Sequence, residues 1–387
     1  MENFRFSMPT QIIFGKDTES ESGAEIAKIA KRVLFHYGSG SIKKNGVYDR
    51  VAASLKKAGV EYVELGGVLP NPRLSLVNEG IRLCREKKLD AVLAVGGGSV
   101  IDSAKAIAVG VPYSGDVWDF YAGKAEPKVT IPVGVVLTIP AAGSESSKSS
   151  VITKEEGSLK RAIDIDLIKP VFAIMNPESS FTLPPYQTAC GAADIMAHIM
   201  ERYFTNAKDV DFTDRLCEAT LKTVIHNIPV VMQEPANYAA RAQIMWAGAV
   251  AHNDLLSTGR IGDWASHQIE HELSALYDVA HGAGLSVVFP AWMKYTYTHD
   301  VNRFVQFAVR VWGVEQDFAD PGRTALAGIR CLEEFWTSIG LPVRMKELPI
   351  PTDRIDEMAA RAVSHGKVGS FVPIKKSEAT AILKLAV

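Results

Sequence analysis

An excess charge of one sign is missing from this chain. Its 42 Lys and Arg stand against 44 Asp and Glu for a net charge of -2, and no long basic run interrupts the balance. That removes the electrostatic footprint of a nucleic-acid binder or of a partner for anionic membranes. Cysteine is scarce as well. Cys84, Cys190, Cys217 and Cys331 are widely separated with no CxxC pair, so they read as buried thiols in a reducing compartment and not as a disulfide framework. No stretch reaches the ~18 apolar residues a membrane span needs. The opening Met1-Glu2-Asn3-Phe4-Arg5 lacks the apolar core of a signal peptide. The expectation is a cytoplasmic protein whose partners are small molecules, with neither nucleic acid nor membrane among them.

What is present is an ordinary globular composition. A chain of 387 residues with 47% hydrophobic content can bury a sizeable core, and its length favours two domains. Short apolar runs at 33–37, 62–65, 91–95, 131–137 and 171–175 have the length and texture of buried parallel strands. Helical patterns at 48–57 and 75–87 fall between them, giving the rhythm of a parallel sheet covered on both faces. After Leu183-Pro184-Pro185 the strand runs mostly vanish and helical spacing takes over at 187–204, 238–256, 264–276 and 324–339. The fold class expected is α/β plus all-α: an N-terminal parallel-sheet dinucleotide-binding domain over residues 1–180, then an all-helical metal-binding and catalytic domain over 181–387.

Two kinds of chemistry follow from the motifs. Gly96-Gly97-Gly98-Ser99 succeeds a buried strand and opens a helix through Lys105, with Ser99 and Asp102 spaced as a capping box. Glycines admit a close backbone approach and the helix N-terminus adds positive potential, so pyrophosphate is the natural occupant. The motif is not the GxGxxG fingerprint, and on its own it fits an unliganded turn equally well. A second loop, Thr138 to Glu145, again sets small and hydroxyl residues after a strand. A third, Gly38-Ser39-Gly40-Ser41, is followed by Lys43 and Lys44, with no Asp or Glu for a ribose 2′-hydroxyl. Serines and lysines there suit a 2′-phosphate, which points to NADP(H) in preference to NAD(H).

In the second half, Asp194 and His198 are four apart and share one helix face. His267 and His271 repeat that spacing, and His281 follows after a break. One Asp with three His suits Fe²⁺, Zn²⁺ or Mn²⁺. Spacing does not decide between His267 and His271 as the third ligand. A phosphate cradle and a metal site in one chain suggest hydride transfer.

These residues carry a resemblance. From Pro9 to Gly15, through Tyr37 to Gly46, Pro70-Asn71-Pro72, Gly96 to Lys105, Phe181 to Pro184, Asp194 with His198, and His267 through His281 to Gly284, the chain resembles the iron-containing (group III) alcohol dehydrogenases, butanol dehydrogenase branch. The resemblance implies the dehydroquinate synthase-like fold of that family. It implies that Asp194, His198, His267 and His281 hold one divalent metal, Fe²⁺ or Zn²⁺, with His271 near the nicotinamide and off the metal; His271 is then the candidate catalytic proton relay, because a histidine titrates near working pH. It implies that Asn71, Gly96, Gly97, Gly98, Ser99, Asp102, Thr138 and Ser144 line the dinucleotide, and that Gly38, Ser39 and Ser41 sit by the adenosine ribose. It also implies a short-chain alcohol or aldehyde substrate and a homodimer, paired through an edge strand at residues 4–14. Sister activities on the same architecture are a glycerol dehydrogenase and a dehydroquinate synthase-like lyase. Ser146-Ser147-Lys148-Ser149-Ser150 departs from the family pattern, where an Asn and a small residue are usual.

Overall fold

A computed structural model describes all of residues 1–387. Every strand lies before residue 176: β1 (Gln11–Phe14), β2 (Arg32–Gly38), β3 (Glu61–Val68), β4 (Ala91–Gly96), β5 (Val133–Leu137), β6 (Ser149–Lys154), β7 (Leu159–Asp164) and β8 (Phe172–Met175). Six of them form one sheet in the order β1-β8-β5-β4-β2-β3, parallel throughout. The five expected strands are all there. They were readable because a parallel strand is buried on both faces and so runs apolar without alternation, as in β4, where all six residues are buried. Helices α1 (Val47–Lys57), α2 (Leu74–Lys87) and α3 (Gly98–Gly110) cover the sheet. One core joins α2 and α3 to one face; the other joins α1 to the opposite face.

Beyond β8 the chain is helical: α4 (Pro185–Tyr203), α5 (Asp211–Gln233), α6 (Tyr238–His252), α7 (Ala265–Tyr277), α8 (His281–Thr296), α9 (Val301–Trp312), α10 (Pro321–Ser338), α11 (Ile355–Ala362) and α12 (Lys376–Leu385). Contacts divide the chain into a sheet unit, Ser7–Leu183 with Glu234–Asn253, and a helical unit, Met1–Phe6, Pro184–Gln233 and Asp254–Val387. Helix α6 therefore belongs with the sheet and not with its sequence neighbours. The reason is local: Gly143, at φ +64, carries no Cβ that would collide with His252 Cβ at 2.6 Å and Gly248 O at 2.7 Å. Ser146 Oγ and His252 Nδ1 then bond to Ala249 O and Ala142 O across that contact.

Three further differences from expectation have physical causes. The antiparallel β6–β7 pair was not read from sequence, because Ser149–Lys154 and Leu159–Asp164 are too polar to show a buried run. Of the edge segment 4–14, only Gln11–Phe14 is strand. The capping box at Ser99 does not form: α3 begins at Gly98 with Gly97 as N-cap and no side-chain cap, and the Asp102 carboxylate is engaged by Ser144 Oγ at 2.6 Å and Val151 N at 3.1 Å.

Candidate functional site

The three loops expected to hold a dinucleotide follow the C-terminal ends of β2, β4 and β5, neighbours in the sheet. The chain leaves β2 for β3 on one side and β4 for β5 on the other. Between β2 and β4 lies the switch point where open α/β sheets take their ligands. Thr138 N donates to Gly96 O at 3.0 Å, so the second loop starts against the glycine turn. A Cβ at Gly97 would stand 2.9 Å from Ile139 Cβ, and one at Gly98 would stand 3.0 Å from Ala142 Cβ. A side chain at Gly97 would force a shift, and one at Gly98 would crowd Ala142, so the glycines ease the close approach of the two loops. With no side chain capping α3, its first N–H groups remain for an anionic group, and the cradle fits a pyrophosphate.

The other expected contacts are placed as follows. Gly38 ends β2, Ser39 and Ser41 are exposed, and Gly40 has φ +108 with nothing within 4 Å of its missing Cβ. Asn71 is buried in the left-handed region at φ +54, between two prolines. Ser144 is buried and bonded to Asp102, so those two expected contacts hold each other. Lys43 pairs with Glu64 at 3.3 Å and lies over the rings of Tyr37 and Tyr48. Glu64 also accepts from Tyr37 Oη at 3.0 Å and Tyr48 Oη at 2.5 Å. The phenols and the ammonium together hold its carboxyl below the usual range, Tyr48 contributing most.

In the helical unit, α4, α7 and α8 bring the expected metal residues together. Ligand atoms of Asp194, His267 and His281 lie within 4.8 Å of one another. His281 Nε2 is 3.8 Å and His198 Nδ1 is 3.6 Å from Asp194 Oδ1, and the His198 and His267 rings stack at 4.8 Å. Ligands each ~2.1 Å from one ion stand roughly 3 to 4 Å apart, the separation that His281 Nε2 and His198 Nδ1 each show from Asp194 Oδ1. The decisive atom is His267 Nε2, buried with no hydrogen-bond partner. His271, one turn on, is buried, with its ring 5.6 Å from that of His281. Both histidines that spacing left open belong to compact groups, His267 with Asp194 and His281, and His271 with Glu270 and His281. Trp264 flanks the cluster, 5.2 Å from the His267 ring, while Phe289 lies wholly in the core.

Glu201 and Glu270 were not anticipated. Glu201, wholly buried, accepts from His267 Nδ1 at 2.8 Å, His267 N at 3.1 Å and Trp264 N at 2.6 Å. Glu270, also wholly buried, bonds to His281 Nδ1 and Ser274 Oγ. An ionised carboxylate only accepts, so each bond places the proton on Nδ1 and leaves the Nε2 lone pair for an ion. Trp264 takes φ +69 at the start of α7, a strained conformation held by its bond to Glu201. Two glycines let α8 arrive: a Cβ at Gly282 would lie 2.0 Å from Cys190 O, and one at Gly284 would lie 2.4 Å from Glu270 Oε1. The available signal was the spacing His198/Glu201 and His267/Glu270, three apart on one helix face.

Residues 9–177 match the family described as iron-containing alcohol dehydrogenase, and residues 188–387 match the C-terminal part of the Fe-containing alcohol dehydrogenase family. The chain is 43% identical to a probable NADH-dependent butanol dehydrogenase 1 of Bacillus subtilis, over 99% of both chains. It is 37% identical to the NADPH-dependent aldehyde reductase YqhD of Escherichia coli, over 95% of this chain and 94% of that one. The crystal structure of NADH-dependent butanol dehydrogenase A from Thermotoga maritima superposes with a TM-score of 0.97 at 41% identity, covering 100% of this chain and 99% of the other.

Proposed function

The chain belongs to the iron-containing alcohol dehydrogenase family and is an NAD(P)-dependent oxidoreductase of that type; from that premise we propose that it interconverts short-chain primary alcohols such as butanol and their aldehydes. The observation that carries the metal assignment is the buried, unpartnered Nε2 of His267 beside Asp194 and His281. In this reading Asp194, His198, His267 and His281 hold one divalent ion, Fe²⁺ or Zn²⁺. When bound, the ion supplies Lewis acidity toward a hydroxyl or carbonyl oxygen, and the nicotinamide supplies or accepts the hydride.

The remaining work falls to the chain. Glu201 and Glu270 hold two of the imidazoles in the tautomer that offers Nε2. His271 is the proton relay, because a histidine exchanges protons near working pH. Gly96 to Ser99 and Thr138 lie along the pyrophosphate, with Asp102 and Ser144 shaping the second loop and Asn71 backing the turn before α2.

The cofactor preference proposed is NADP(H) over NAD(H). Its support is the open, hydroxyl-lined turn of Ser39 and Ser41 with the exposed Lys44; Lys43 contributes less than its sequence position promised, since Glu64 compensates its charge. Relatives of both kinds, NADH-dependent and NADPH-dependent, stand close to this chain. We further place the enzyme in the cytoplasm, in keeping with four unpaired cysteines, and pair two copies through the exposed edge at β1. No helix is long and apolar enough to cross a membrane.

The test is oxidation of NADPH and of NADH with butyraldehyde after the stripped protein is reloaded separately with Fe²⁺ and Zn²⁺. Metal-dependent turnover favouring NADPH supports the reaction, the metal site and the cofactor preference. Metal-dependent turnover favouring NADH keeps the reaction and removes the cofactor argument. No turnover with either sends the search to polyol and lyase substrates.

A further inference from the structure

Lys105 sits on α3 one turn after Asp102 and is wholly buried. Its ammonium donates to Ser144 Oγ at 3.0 Å, Ser147 O at 2.9 Å, Ser147 Oγ at 3.3 Å and Ser149 O at 2.8 Å. Asp102 extends the same attachment: besides Ser144 Oγ and Val151 N, its backbone carbonyl accepts from Ser150 Oγ at 2.9 Å. Two residues of α3 thus bond to Ser144, Ser147, Ser149, Ser150 and Val151. The run from Ser144 to Val151 contains the serine-rich stretch Ser146-Ser147-Lys148-Ser149-Ser150.

A charge buried only to fix a loop is costly where apolar packing would serve as well. This loop, however, continues directly from the one that closes on the glycine turn, and an ammonium fixes it through directed bonds to several oxygens that apolar contacts do not select. We propose that Lys105 is a positioning residue that holds the Ser144–Ser149 loop in its dinucleotide-binding shape and so sets cofactor affinity without touching the cofactor. The proposal rests on the reading of these loops as the dinucleotide site.

Its charge state supplies the handle. Burial brings Lys105 down to about 8, against attraction from Asp102 on its own helix, Glu145 in the loop and Asp164 on β7, with Lys169 opposing them. Burial likewise raises Glu145 to about 7, with Lys105 pulling it back, and raises Asp102 against the same ammonium. Deprotonation leaves two donors for four acceptors and three carboxylates, Asp102, Glu145 and Asp164, without this counter-charge. Cofactor affinity then weakens as pH rises through the Lys105 range.

The experiment is equilibrium binding of NADPH and NADH to the holoenzyme, followed by nucleotide fluorescence from about pH 7 to about pH 9, where one linked proton changes Kd by at most about tenfold per pH unit. In the wild type, Kd should rise about tenfold across the range. Lys105→Met should show the weak binding already at the low end with a flat profile, and kcat at saturating cofactor should change far less than KM. Ser147→Ala, which keeps the ammonium, should keep the sloping profile. A flat wild-type profile overturns the proposal, as does Lys105→Met with wild-type Kd. Should Lys105→Met fail to fold, the wild-type profile decides. A wild type that binds neither nucleotide at any pH removes the dinucleotide reading itself.

Discussion

The Glu201 carboxylate accepts hydrogen bonds from both the ring Nδ1 and the backbone N–H of His267, across 66 residues of chain. The bond fixes the tautomer and the ring plane, and the unpartnered Nε2 is its consequence. Removing such a carboxylate lowers metal affinity by about 10–100-fold in comparable sites. Glu201→Gln retains an oxygen for Nδ1–H but loses the charge that raises imidazole basicity. Chelator competition should show metal released about tenfold more readily, with the helical circular dichroism unchanged. Wild-type metal retention would mean that His267 is not a ligand or that its orientation is fixed elsewhere.

Asp194 and His271 should separate by metal content. Asp194→Ala removes the carboxylate oxygen shared by the contacts of His198 and His281, and the protein should purify without metal and without activity. His271→Ala should retain metal while turnover falls by about 10²–10⁴-fold, the span of general acid–base effects. Metal loss in His271→Ala would make it a ligand and draw attention to the second compact trio, Glu270, His271 and His281.

Much of this was legible because the governing interactions are local. The β4–glycine–α3 unit, the shared face of Asp194 and His198, and the helical spans of α4 and α7 are all set within a few turns of chain. Glu201 and Glu270 were harder to read, because their three-residue spacing links each to a histidine on its own helix, while the imidazole each one holds, His267 or His281, lies on the next helix of the cluster. The allegiance of α6 was hidden for a like reason. An amphipathic pattern says that a helix buries one face, but not against what, and here the missing Cβ of Gly143 decides it. Asp102 shows a local rule yielding to a tertiary one: its spacing from Ser99 suits a capping box, yet Ser144 and Val151 claim the carboxylate.

Gly282 makes a packing prediction. A methyl group there would overlap Cys190 O at 2.0 Å, and backbone cannot step aside as a side-chain tip can. Gly282→Ala should separate α8 from α4, costing about 1–3 kcal/mol of stability and displacing His281 from Asp194. Lower Tm and weaker metal retention should appear together. A variant with wild-type values for both would show that the helices close without this contact.

His36 gives the chain a pH-dependent element inside the sheet. It is wholly buried on β2, with Nδ1 bonded to Leu65 O at 2.8 Å and Nε2 to Ser103 Oγ at 2.8 Å. A carbonyl only accepts, so Nδ1 carries the proton and Nε2 accepts from the hydroxyl, a pattern that requires the neutral ring. Burial is the main cause that lowers its pKa from 6.5 to about 4, the bond to Leu65 opposing it. Between those two values the unfolded chain binds the proton and the folded chain does not, so unfolding free energy rises with pH through that window. The contribution is fully present above the unfolded value and is lost as pH falls toward the folded one, about 3 kcal/mol in all. Denaturant titrations of wild type and His36→Leu across that range should therefore diverge. The variant, missing two hydrogen bonds, should be less stable at neutral pH, but the gap should narrow steadily as pH falls from 6.5 to about 4. Parallel curves would mean that the imidazole is protonated in the fold and that Ser103 and Leu65 accommodate the charge.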